Sequence, residues 1–224
     1  MTDDPRLADL GKFTPEGRLT PGYGQHYLFM VGRDDCHGVM LWLLEHEKFE
    51  LDFNQYGYDD EALNAAIMNL LKDPNVIVQG TLDRSQAGGV HEKRILVADE
   101  TSDPEFSNSI AIGQSATHSI SHTKGGVCVG LNMAFEGSMN WSADGEGTGV
   151  SLKPGINSIK GYRAQNNTLL VSTNPIMISR FRTQLAVEHR IAQQQEAARE
   201  LKTYPPITVT SPPSKRKKRS IFSW

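Results

Sequence analysis

The chain is poor in cysteine. Cys36 and Cys128 are the only two, and a pair so far apart lays down no disulfide framework, so a reducing compartment and a cytoplasmic location are expected. Long apolar runs are missing too. No stretch reaches the roughly 20 consecutive apolar residues that span a bilayer, and the opening MTDDPRLADLGK is acidic, without the apolar centre of a secretory signal. Cationic residues are scarce outside one place. Lys215, Arg216, Lys217, Lys218 and Arg219 form a single run, and without them 18 basic residues face 26 acidic ones, a body near −8. A basic tail on an acidic body suits a phosphate-bearing partner, nucleic acid or anionic lipid, or else only aids solubility.

What remains is globular. Hydrophobic residues make up 38% of the 224 and charged ones 22%, enough for a buried core in one large or two small domains. Residues 1–24, rich in proline, glycine and charge, read as a loosely held arm. From there the pattern is strand and helix in alternation. YLFMVG (27–32) reads as a buried strand. Asp34 or Asp35 can cap a helix carrying Val39, Leu41, Trp42 and Leu43, and FELDFN (49–54) alternates as a strand with one buried face. Asp59 and Asp60 precede a helix with Leu63, Ile67, Leu70 and Leu71 at helical spacing, closed by Pro74. NVIVQGTLD (75–83), SIAIG (109–113), VCVGL (127–131) and NTLLVS (167–172) supply further strands, with a helix through His91–Ala98.

Asn174-Pro175 begins a last helix, with Ile178, Phe181, Leu185 and Ile191 toward the core. Its second half, AQQQEAARELK, is polar nearly all round and is expected to be exposed or to meet a partner. The fold class is therefore α/β, a mixed central sheet flanked by helices on both faces. Residues 25–202 are expected to form one folded domain and 203–224 a disordered Pro/Ser-rich linker and basic tail.

The residues that carry chemistry lie between 118 and 146. In extended chain, residues two apart share a side, so His122 and Lys124 point together: an imidazole that can attack or carry protons, and a fixed cation for phosphate oxygens. Ser138 and Asn140 repeat the offset with a hydroxyl and a carboxamide, and Gly137 permits close backbone approach. One imidazole, one cation and two neutral donors would surround a tetrahedral anion. His118 would share a strand face with His122, as a second histidine or as packing. A zinc site at His-x-x-x-His is disfavoured, since that spacing suits a helix and no third ligand is evident. Ser138 is disfavoured as a hydrolase nucleophile because the Gly-x-Ser-x-Gly elbow is absent. His37 and His91 receive structural roles.

HTK at 122–124 followed by GSMN at 137–140 resembles the phospholipase D superfamily, with its His-x-Lys and Gly-Ser-x-Asn signature. GSMNWSADGE continues the likeness, which extends over about residues 27–195. The chain departs from the pattern at Val129, where an acidic residue is usual, and by one extra residue between Lys124 and Gly137. Residues 147–164 look like an insertion, either a loop over the site or a surface hairpin.

The resemblance implies a metal-independent phosphodiesterase without cofactor. His122 would form a phosphohistidine, a second histidine would protonate the leaving oxygen, and Lys124, Ser138 and Asn140 would hold phosphate oxygens. Glu146 would orient or charge-stabilise the imidazole. One motif supplies one histidine, so a homodimer with a shared site is expected. The small single-motif relatives are mostly nucleases, which makes an endonuclease acting on DNA or RNA the leading expectation, with the basic tail tracking the backbone. The alternatives are a phospholipase D acting on lipid headgroups, with Ile221, Phe222 and Trp224 beside the cations at a membrane surface, and a silent dimeric nucleic-acid-binding module.

Overall fold

The computed structural model describes residues 2–86, 108–150 and 158–203. The basic run 215–219, the rest of the tail from 204, the helix expected at His91–Ala98 and residues 151–157 of the insertion lie outside the described residues.

Local signals set the helices. The Asp35 side chain accepts from the Gly38 amide and opens α1 (Cys36–His46), and Asp60 accepts from Leu63 to open α2 (Glu61–Leu71). A short α3 (Ala143–Glu146) follows the Ser142 cap. Asn174 caps the amides of Ile176 and Met177 ahead of the long α4 (Pro175–Thr203). Each cap answers amides that a helix cannot satisfy internally.

Seven strands form one mixed sheet in the order β1-β7-β6-β5-β2-β3-β4. They are β1 (His26–Met30), β2 (Glu50–Gln55), β3 (Ile77–Asp83), β4 (Ile110–Gly113), β5 (Lys124–Cys128), β6 (Met133–Gly137) and β7 (Thr168–Ser172). β2, β3 and β4 are parallel neighbours, and the remaining pairs are antiparallel. Alternation along β5 sends Cys128 to one face and Val127 to the other. Cys128 joins Leu43, Leu51, Phe53, Leu63 and Ile67 under α1 and α2. Val127 and Ala134 meet Ile178 and Leu185 of α4. The expected α/β sheet with helices on both faces is what the chain forms.

Several details differ from the sequence reading, each for a tertiary reason. β1 is an edge strand paired only with β7, so Leu28 and Met30 are exposed and Phe29 alone is buried. All six residues of β2 are buried, the polar ones included, because α4 lies over that face. Arg182 of α4 bonds both oxygens of Glu50 at 2.5 Å and Asp52 at 3.1 Å. β5 begins at Lys124 rather than Val127, since Gly125 and Gly126 pair with both β2 and β6. MAFEG, which drew no strand expectation, is β6. The N-terminal segment, expected to be a loose arm, contains a 3-10 helix (Pro5–Phe13) whose Leu7 and Leu10 are fully buried in the main core.

The polar half of α4 is largely exposed, and some of its side chains reach the edge of its own sheet. Glu196 accepts from the Ile112 amide at 2.8 Å, Gln195 from Gln114 at 2.8 Å, and Arg199 donates to the Ile112 carbonyl at 2.7 Å. Side chains thus cover the open hydrogen-bonding side of β4. Among the described residues, no helix is long and apolar enough to cross a membrane.

Candidate active site

The end of β2 and the turn after it, Gln55-Tyr56-Gly57-Tyr58, form the floor on which the motif residues gather. Gln55 stands opposite Lys124 in the β2–β5 register and its amide donates to the Met139 carbonyl at 3.1 Å. Trp141 N donates to Gly57 O at 3.0 Å. A Cβ on Gly57 would lie 3.0 Å from Asn140 Cγ, so glycine is what admits the Asn140 side chain. Gly137 has the same duty at the other end of the motif: a Cβ there would sit 2.1 Å from the Thr168 carbonyl.

Two motif residues meet on one aromatic ring. The His122 imidazole stands edge-on to Tyr56 with centroids 4.6 Å apart, and Lys124 Nζ lies 4.9 Å from the same centroid. Cation–π contact of this kind holds an ammonium in place without consuming its hydrogen-bond donors. Lys124 is buried and Nζ donates to the His122 carbonyl at 3.1 Å. Burial lowers its pKa from the ordinary lysine value, against the opposing pull of Glu136. His122 itself is exposed, and Tyr56 is anchored by the Gln86 amide at 2.9 Å.

The backbone before His122 is tied down by a buried polar network that the sequence did not announce. Ser121 N donates to Asp83 at 2.5 Å, Asn54 Nδ2 donates to Ser121 Oγ at 2.9 Å, and the same amide donates to Glu188 of α4 at 2.5 Å. Asp83 and Asn54 end or lie on neighbouring strands, so their convergence on Ser121 needs the sheet order to be known.

Ser138 is exposed, and its hydroxyl donates to Asn167 Oδ1 and accepts from the Thr168 amide, both at 3.1 Å. Asn140 Oδ1 is buried without a hydrogen-bond partner. A cleft of about 1210 Å³ opens beside His122, between α4 and the sheet, lined also by His26, Glu136, Arg180 and Phe181. His26 is thus a second imidazole in the same cleft. It lies on β1, nearly a hundred residues earlier, and no local motif points to it.

Two candidates fall elsewhere. Glu146 does not touch His122; its carboxylate lies 3.5 Å from His37 Nε2, inside the protein. Burial, then the nearby charges of Asp60, Asp59 and Asp35, push its carboxyl up to about 9. With its carboxyl turned to His37, Glu146 does not orient or charge-stabilise the His122 imidazole. His118 shares no strand with His122: it sits in the Ser115–Ser119 turn at a φ of 60°, because β4 ends at Gly113 and β5 starts only at Lys124.

No protein-family model matches the chain, and no curated protein matches it. Solved structures do. NucT from Helicobacter pylori superposes with a TM-score of 0.54 at 14% identity, over 75% of this chain and 96% of that one. Nuc from Salmonella typhimurium, described as a phospholipase D family member, superposes with a TM-score of 0.50 at 14% identity and the same coverage. At such identity the likeness establishes the fold.

Proposed function

From the phospholipase D fold that this chain has, we propose that it is a metal-independent phosphodiesterase, an endonuclease cleaving DNA or RNA through a phosphohistidine on His122. The observation that carries the reading is the exposed His122 ring and the buried Lys124 ammonium on one tyrosine, at the mouth of an open cleft. An exposed imidazole is accessible to a diester, and the ammonium beside it is held by its surroundings in the geometry that stabilises charge on non-bridging oxygens.

In the chemical step a His122 nitrogen attacks phosphorus and the P–O bond to the leaving group breaks. A second imidazole gives its proton to the departing oxygen. Water, losing a proton to that second imidazole, then attacks the phosphohistidine and frees His122. Lys124 and Asn140 hold phosphate oxygens. Ser138 joins them by turning its hydroxyl away from Asn167. Glu146 takes no part.

The second imidazole comes from a twin chain, the two clefts facing each other across a twofold axis. His26 is the in-chain competitor, since it lines the same cleft. The basic run 215–219 adds sequence-independent affinity for the backbone.

The test is cleavage of plasmid DNA, RNA and phosphatidylcholine vesicles with EDTA present, for the wild type, His122→Ala, Lys124→Ala and His26→Ala. Cleavage of nucleic acid lost in the first two variants and kept in His26→Ala supports the shared site. Loss in His26→Ala as well moves the proton donor into the same chain. Choline release makes the enzyme a phospholipase. Binding without turnover on every substrate overturns the enzymatic reading.

A further inference from the structure

His37, Asp60 and Glu146 come from three separate elements, α1, the α2 cap and α3, and converge at one point. Glu146 is 2% exposed, and neither of its oxygens has a hydrogen-bond partner. His37 Nε2 is equally without one. It stands 3.4 Å from Asp60 Oδ1 and 3.5 Å from Glu146 Oε2, too far for a strong hydrogen bond to either. A buried carboxyl with two unsatisfied oxygens is costly, and a fold that keeps one needs something to answer it.

The imidazole beside Glu146 is shared with Asp60, so one side chain faces two carboxyls. Asp35 and Asp59 add negative field around Glu146. Arg33 borders the small pocket of about 280 Å³ that opens onto His37 and Glu146, but its guanidinium is held by Asp34 at 3.0 Å.

We propose that His37, Asp60 and Glu146 form a binding site for a divalent cation of the zinc class. Zinc takes imidazole nitrogen and carboxylate oxygen at about 2.0–2.2 Å, and a tetrahedron of that size has edges of about 3.3–3.6 Å. The two observed separations from His37 fall on those edges, and the three ligand atoms lie within 4.8 Å of one another. The pocket bordered by His37, Glu146, Gly147 and Thr148 supplies an entry path and room for a water as fourth ligand. One nitrogen and two oxygens favour zinc over magnesium, which asks for six oxygen ligands in near-octahedral order. Asp60 keeps its cap on the Leu63 amide, since a carboxylate oxygen has a lone pair for each partner.

The ion would tie separate elements together, with water in its fourth position. It would pin the start of α2 to the segment just beyond GSMN, where Asp59 N and Asp60 N already hold the Trp141 carbonyl at 2.8 and 3.0 Å.

The full chain, stripped by chelator and dialysed, is titrated with zinc, with magnesium as control. Metal content, calorimetric stoichiometry and thermal unfolding are read. One zinc per chain is expected, with a rise in unfolding temperature of about 5–10 °C at free zinc about 100-fold above Kd. Magnesium should produce no rise. Glu146→Gln and His37→Gln, close in shape to the originals, should each abolish the zinc-dependent rise while their metal-free proteins still unfold cooperatively. No zinc uptake by the wild type overturns the proposal, and so does uptake unchanged in both variants. These readouts do not involve nucleic-acid cleavage, so the phosphodiesterase reading stands or falls separately.

Discussion

The two faces of the sheet are built on different physics. Under α1 and α2 the contact is dry: Leu43, Leu51, Leu63 and Ile67 are fully buried and Phe53 stacks on Trp141 at 5.3 Å. Under α4 the same strand β2 turns Glu50, Asp52 and Asn54 to the helix, where Arg182 and Glu188 answer them. Apolar burial is tolerant of detail and supplies most of the stability. A buried polar face is intolerant, because each group needs its partner. The network that fixes Ser121, and through it His122, belongs to the polar face. Stability and positioning are in this way assigned to opposite sides of one sheet.

The largest effect should come from the dry side. Leu43→Ala removes a fully buried side chain and should cost about 2–5 kcal/mol in denaturant unfolding, while cleavage per folded molecule stays at the wild-type level below the transition. A fall in specific activity as large as the fall in stability would blur the division.

Asp52 tests the electrostatics of the other side. Burial, with the Glu50 charge added, raises its carboxyl to about 6 although Arg182 pulls downward. Arg182 bonds Glu50 more closely, which leaves Asp52 the less compensated of the pair. A folded-state pKa above the unfolded 3.8 means that the native state holds the proton more tightly. The corresponding stability is full below about pH 4 and is lost as pH rises through about 6. Asp52→Asn removes that dependence, so its stability relative to wild type should improve by up to about 3 kcal/mol between pH 4 and pH 7. A flat difference over that range would show Arg182 holding Asp52 ionised throughout.

Asn54→Ala separates positioning from packing. It breaks the link between Ser121 and Glu188 at a stability cost of about 1–3 kcal/mol. kcat should drop about tenfold or more with KM little changed, as a misplaced nucleophile requires. A shift in KM alone would detach the network from the chemistry.

Glu196→Ala should have the smallest effect, about 1 kcal/mol, confined to the edge. Hydrogen exchange at the Ile112 amide, which Glu196 accepts from, should accelerate while β2 amides stay protected.

Much of this architecture was legible in the sequence because its signals are local. Asp35, Asp60 and Asn174 sit where a cap must sit, and apolar spacing marked α1 and α2. What escaped depends on neighbours. Gly125-Gly126 look unlike a strand until β2 and β6 flank them, and MAFEG has no strict alternation and no β-branched residue. Alternation in FELDFN was visible, but not that α4 would bury the polar set. At the site, the His-x-Lys and Gly-Ser-x-Asn spacings pointed to His122, Lys124, Ser138 and Asn140. Tyr56, Ser121, Asp83 and His26 are gathered only by the fold. Glu146 was misjudged for the same reason: its place in the run says nothing about which imidazole the helix will turn it toward.

The account's centre is a covalent bond between phosphorus and His122. The most direct measurement is mass spectrometry of the protein quenched during turnover of a nucleic-acid substrate, under conditions that preserve phosphoramidates. A nucleotide or phosphate adduct on the peptide containing His122, absent from His122→Ala, is the predicted result. Turnover with an adduct on another residue, or continued in His122→Ala, would contradict it.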